Sequence, residues 1–116
     1  MSEFKQRIMS FDSVTYERFQ ELKKTFDMDN NRMFRLIIIF SYANLDKIQN
    51  VKLSDYFDII RAKPQHFVKI SAPNSYWDKL EQINQFVLLT PKVTFRLLVN
   101  IIYKNKDRIL HAIEEV

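Results

Sequence analysis

The stretch Phe34-Arg35-Leu36-Ile37-Ile38-Ile39-Phe40-Ser41-Tyr42-Ala43-Asn44 occurs again 61 residues downstream as Phe95-Arg96-Leu97-Leu98-Val99-Asn100-Ile101-Ile102-Tyr103-Lys104-Asn105. The same ungapped offset matches Ser10 to Ser71, Asp46 to Asp107 and Ile48 to Ile109, giving 8 identities over the 40 positions 9–48. Apolar character repeats as well, at Met9/Ile70, Tyr16/Trp77, Phe19/Leu80, Leu22/Ile83, Phe26/Val87 and Met28/Leu89. Units written twice in this way cannot bury their apolar faces alone and do so against each other. Two copies in 116 residues are too few for a solenoid. They suit a closed pair: one domain of two repeats, residues 4–48 and 65–116, joined by a helical connector over 49–64.

With 47% hydrophobic residues, a chain of 116 can build one core and not two. The absence of cysteine excludes a disulfide framework and a thiolate metal site, and fits a cytoplasmic location. The first seven residues lack the apolar run of a signal peptide. No stretch approaches the roughly 18 apolar residues of a membrane span, so no membrane partner is expected. A net charge of +4 is a mild pointer to a polyanion. Glycine is absent, which removes phosphate-cradling loops and disfavours tight hairpins. Long helices with polar connections are the natural expectation.

Residues 5–11 and 65–72 read as strands of about six residues. In the second copy Val68, Ile70 and Ala72 point one way and Phe67, Lys69 and Ser71 the other, because strand side chains alternate. Carried back by the offset, Met9 and Phe11 face inward and Gln6, Ile8 and Ser10 outward. A one-residue slip would exchange the faces, and the outward Ile8 leaves that slip open. Helix starts follow at Asp12-Ser13 and Pro73-Asn74. Their apolar positions, Tyr16, Phe19, Leu22 and Phe26, then Trp77, Leu80, Ile83 and Val87, recur at helical steps. After breaks at 27–31 and 88–92, Asp29 and Thr90 are expected to cap second helices, with Pro91 preset for a first turn. Residues 36–40, apolar on every side, imply burial all round. Between the copies, 53–62 reads as one amphipathic helix capped by Ser54 and ended before Pro64. Residues 107–116 read as a continuation of the last helix through Ile109, Leu110 and Ile113.

A strand, a helix, a polar break and a strongly apolar second helix, with Arg35 or Arg96 just after its aromatic residue, resemble the ribbon-helix-helix fold of Arc- and MetJ-type DNA-binding proteins. The likeness covers about 40 residues twice. A lone strand leaves backbone hydrogen bonds unmet, which two units cure by pairing their strands. In most of that family two chains supply the units. This chain carries both, similar to TraY-like relaxosome accessory proteins of conjugative plasmids. The glycine that the family commonly has between its helices is missing, and Asp27 and Leu88 stand there. The implied fold is mainly α with a short two-stranded antiparallel ribbon, a tandem ribbon-helix-helix pseudo-dimer in one chain.

The resemblance implies a ribbon that enters the major groove, with outward side chains on base edges. Those are Gln6, Ile8 and Ser10 with Phe67, Lys69 and Ser71. Helix starts favour anions, so Asn30, Asn31, Pro91 and Lys92 are the expected phosphate contacts. Asp29 caps well but repels phosphate, which makes the first unit the weaker binder. The expected function is sequence-specific binding of double-stranded DNA, as a plasmid transfer-origin accessory factor or a transcriptional repressor. The expected molecule is a monomer able to assemble side by side on DNA, with a relaxase or another recruited protein as second partner. The alternative is a protein-interaction adaptor or antitoxin-like module that uses the fold without DNA. Arg35 and Arg96 suit a salt bridge or a backbone carbonyl, and Trp77 suits the core. His66 and His111 stand apart from any ligand set, and no nucleophile and base or cofactor loop can be assembled. No enzyme activity, metal or cofactor is therefore expected.

Overall fold

In the computed structural model, which describes residues 3–114, apolar alternation brings together two strands, β1 (Phe4–Phe11) and β2 (His66–Pro73). They pair antiparallel along eight positions, from Phe4 opposite Pro73 to Phe11 opposite His66. One further bond closes each end, Gln65 N–H to the Phe11 carbonyl at 2.8 Å and Asn74 N–H to the Glu3 carbonyl at 2.9 Å. The ribbon is thus longer than the sequence pattern suggested. Its inner face is the expected one: Met9, Phe11, Val68, Ile70 and Ala72 are all buried.

Each strand runs into two helices. Helices α1 (Ser13–Phe26) and α2 (Asn30–Ala43) follow β1, and α5 (Asn74–Val87) and α6 (Pro91–Lys104) follow β2. All four have 14 residues. Asp12 caps α1, its Oδ2 accepting from the Thr15 N–H at 3.1 Å. Both first helices end on a left-handed residue, Asp27 (φ 53°) and Leu88 (φ 60°), the two positions where glycine was missed. The connection from α5 to α6 bends the chain by 88°.

The helices pack across the two units. α1 lies on α6, α2 on α5, α2 under β2 and α6 under β1. The apolar faces therefore close one core, in which the rings of Phe34 and Phe95, repeat counterparts, meet at 5.1 Å. Phe11 and Phe19 join them. Trp77 is in this core as well, its indole N–H donating to the carbonyls of Lys5 (2.9 Å) and Ala72 (3.2 Å).

Three expectations need correction. The connector is not one helix: α3 (Leu45–Gln49) is followed by a 3-10 turn (Leu53–Tyr56) and α4 (Phe57–Arg61), and Ser54 caps nothing because Lys52 holds the cap position. Tyr56 is the buried anchor of that segment. The last helix does not continue: it breaks at Asn105, whose side-chain amide turns back onto the Ile101 carbonyl at 2.8 Å, and α7 (Lys106–Glu114) starts afresh. The final two residues of the 107–116 reading lie outside the described residues. Finally, Ile39 and Phe40 are partly exposed, 44% and 36%, although Ile37 and Ile38 are sealed. The second-unit counterparts are better covered, Asn100 being fully buried and Ile101 half-buried.

α7 returns along α1, where Lys106 Nζ lies 3.2 Å from Glu21 Oε1. Hydrogen bonding from Tyr103, then from Lys106, holds the Glu21 carboxyl below its ordinary range. Lys106 is raised: desolvation works against its charge, and the bonds to Glu21 and Tyr103 outweigh it.

Candidate nucleic-acid interface

Register decides which side chains share the outer face of the ribbon. Gln6 stands opposite Ser71, Ile8 opposite Lys69 and Ser10 opposite Phe67. Directly opposed residues point to the same side, so these six lie on one face. Gln6, Ile8, Phe67 and Lys69 are exposed there, Phe67 at 68%. Ser71 is half-buried, and its N–H donates to Asn31 Oδ1 at 2.9 Å.

Ser10 departs from the expectation. It is only 5% exposed, because the guanidinium of Arg96 closes over it. Nε donates to the Ser10 carbonyl at 2.9 Å, one terminal nitrogen to Ser10 Oγ at 3.1 Å, and the other to the Ala62 carbonyl at 3.1 Å. At Ser10 the open edge of β1 is thereby satisfied by a side chain from α6 and fastened to the connector. Burial lowers the Arg96 pKa, with Asp12 acting in the opposite sense; a guanidinium stays charged through such a shift. Asn100, one turn on, donates to Thr15 Oγ1 (3.0 Å) and the Arg96 carbonyl (2.7 Å) and accepts from Arg18 (2.5 Å). Ser10 belongs to this buried junction and offers nothing to a ligand.

The two helix starts beside the ribbon differ. At α2, Asp29 Oδ1 accepts from the Arg32 N–H at 2.8 Å, so the cap is occupied by a carboxylate. Asn31 is occupied by the ribbon, and the Oδ1 of Asn30 is buried without a hydrogen-bond partner. Both placements use the amide oxygen, whereas the group that would donate to a phosphate is Nδ2. At α6, Thr90 holds the cap position but makes no side-chain cap bond, contrary to expectation, and Pro91 begins the first turn. Lys92 is exposed beside it. The first amides of α6 are left open, and an open helix start carries partial positive charge.

A groove of about 630 Å³ joins this start to the ribbon, lined by Gln6, Arg7 and Ile8 on one side and Thr90, Pro91 and Lys92 on the other. Arg7 was not singled out from the sequence, since its alternation points it inward. The end of β1 is thinly covered, however, and Arg7 emerges with its guanidinium over Trp77, 5.3 Å from the ring centroid. Phe4, exposed at 62%, was missed because it lay outside the pattern that defined the strand.

His66 stacks on Tyr16 with ring centroids 4.0 Å apart. Among the described residues, no three histidines or carboxylates gather as metal ligands, and no single helix is long and apolar enough to cross a membrane. Fold and site together define a mainly helical domain whose two-stranded ribbon shows a mixed cationic and apolar face beside an open helix start. Comparison with protein-family models, curated proteins and solved structures finds no match to this chain.

Proposed function

We propose that this chain is a double-stranded DNA-binding protein, a tandem ribbon-helix-helix pseudo-dimer that lays its ribbon in the major groove. Support for the internal two-fold comes from residues that meet their own repeat counterparts. Ile8 pairs with Lys69 and Phe34 touches Phe95, both pairs separated by the repeat offset of 61. An axis through both pairs relates α1 to α5 and α2 to α6.

The observation that carries the DNA reading is the groove in which the base-facing Gln6 and Ile8 adjoin Thr90, Pro91 and Lys92. A phosphate held at the α6 start fixes the ribbon's height in the groove, while Gln6 and Lys69 donate to base edges and Ile8 or Phe67 covers a thymine methyl. The α2 start, closed by the Asp29 carboxylate, grips less. The protein acts in the cytoplasm, as a transfer-origin accessory factor or a repressor.

The test is a fluorescence titration against a pool of random duplexes, enriched for bound sequences, at two salt concentrations. Affinity is expected to fall steeply between about 50 and 200 mM salt. Lys92→Ala is expected to reduce that dependence by about one counterion on every duplex. Lys69→Ala weakens the selected sequence by about 1–3 kcal/mol and relaxes its selectivity. Absence of binding to every duplex at low salt would overturn the reading. A protein-binding adaptor is the second reading, favoured by Phe4, Ile8 and Phe67, three large apolar side chains exposed on the ribbon face. An adaptor would keep its partner when Lys69 is replaced.

A further inference from the structure

The largely apolar cleft at the far ends of α2 and α6 is not used by the ribbon reading. A 14-residue helix is about 21 Å long. The cleft therefore lies about 20 Å from the ribbon, along helices that start beside it. Its volume is about 380 Å³, within the range of small-ligand pockets.

Its lining repeats itself across the two copies of the sequence. The twelve residues form six pairs at the repeat offset: Phe40 with Ile101, Ser41 with Ile102, Asn44 with Asn105, Lys47 with Arg108, Ile48 with Ile109, Val51 with Ala112. The cleft is two-fold in composition and sits on the axis traced by Ile8 and Lys69 and by Phe34 and Phe95. Ile48, Ile102 and Ile109 form a buried floor. Phe40, Val51, Ile101 and Ala112 complete the apolar surface, which explains why Phe40 is not sealed.

Charge narrows the occupant. The lining contains two cations, Lys47 and Arg108, and no carboxylate. Both are exposed, and the one ion pair among the described residues is elsewhere, at Lys106 and Glu21. Cations near helix C-termini commonly offset the carbonyl dipoles. Here asparagines already answer the carbonyls: Asn44 Nδ2 donates to the Phe40 carbonyl at 2.7 Å and Asn105 Nδ2 to that of Ile101 at 2.8 Å. The Asn44 and Asn105 N–H groups take the Ser41 and Ile102 carbonyls at 3.1 and 3.0 Å. The two cations are left to complement an anion.

We propose that this cleft binds a small amphipathic carboxylate, its apolar body between Phe40 and Ile101 and its carboxylate on Lys47 or Arg108. Because the walls come equally from both repeats, an occupant touches both halves at once. The site does not depend on the DNA reading and is tested without DNA.

The probes are dodecanoate, dodecanedioate and dodecyltrimethylammonium, each below its micelle concentration, followed by calorimetry and by methyl NMR of the isoleucines. Dodecanoate or dodecanedioate is expected to bind one per chain and to shift Ile101, Ile102 and Ile109. Ile101→Trp, which fills the cleft from a half-buried position, is expected to abolish binding. The double variant Lys47→Gln with Arg108→Gln, both at exposed positions, is expected to weaken it at least tenfold. Equal binding of the cationic amphiphile would overturn the proposal, since apolar contact alone would then explain it. So would failure of both carboxylates, or binding that Ile101→Trp leaves unchanged. If only an acidic amphipathic peptide bound, the cleft would be a protein-docking surface and the proposal would also fall.

Discussion

Arg35 and Arg96 occupy the same place in the repeat and do different work. Arg96 is 4% exposed and supplies three donors to Ser10 and Ala62, whereas Arg35 is half-exposed on α2. The difference arises in their surroundings: the connector lies beside β1 and gives Arg96 the Ala62 carbonyl, while Asn31 already serves the edge of β2. Arg96→Ala strands buried acceptors, each costing about 1–3 kcal/mol, so a destabilisation of about 3 kcal/mol is expected in urea melts. Arg35→Ala is expected to stay within about 1 kcal/mol of the parent. Equal effects of the two would refute the clamp. A sequence reading can suggest a carbonyl partner for an arginine here, but cannot say which copy finds one, because the answer lies in a connector with no counterpart in the repeat.

At the scale of elements, the ribbon faces and the four long helices were legible, because alternation and three-to-four spacing are set by burial on one side. The position lacking glycine was legible too, and both residues there take the left-handed conformation. For a residue with a Cβ this costs about 1–2 kcal/mol, less for Asp, which tolerates the region. Leu88 is 86% exposed, so nothing in the core requires its side chain. Leu88→Gly is therefore expected to raise stability by about 1 kcal/mol and Asp27→Gly by less, both read as a shift in the urea midpoint. An unchanged or lowered midpoint for Leu88→Gly would show that the turn is not strained. What composition could not convey was the connector, where one amphipathic stretch broke into a 3-10 turn and a short helix around the buried Tyr56. Nor could it convey the exposure of Phe40, which lines the cleft, or of Ile39, which does not. At the site, the ribbon residues were readable from alternation. Arg7 and the seizure of Ser10 and Asn31 by neighbouring segments were not, since each depends on a contact distant in sequence.

For the whole molecule, α1 packs on α6 and α2 on α5, so each repeat depends on the other for part of its core cover, although α5 also packs on its own neighbour α6. Fragments 1–50 and 51–116 are accordingly expected to be unfolded alone and to form a one-to-one complex with native circular dichroism when mixed. Independent folding of either fragment would contradict the interlock. The pair at the centre of the ribbon has a wider consequence. Two identical chains meeting on an axis must set each residue there against itself, lysine against lysine, which repels, or isoleucine against isoleucine. A single chain is released from that constraint, and here it sets Ile8 against Lys69. Under the proposed two-fold, a departure from symmetry thus sits on the symmetry element itself. Whatever lies across this ribbon meets a greasy half and a charged half in fixed order, so the bound molecule has a heading, as an arrow does, and reversing it makes a different complex.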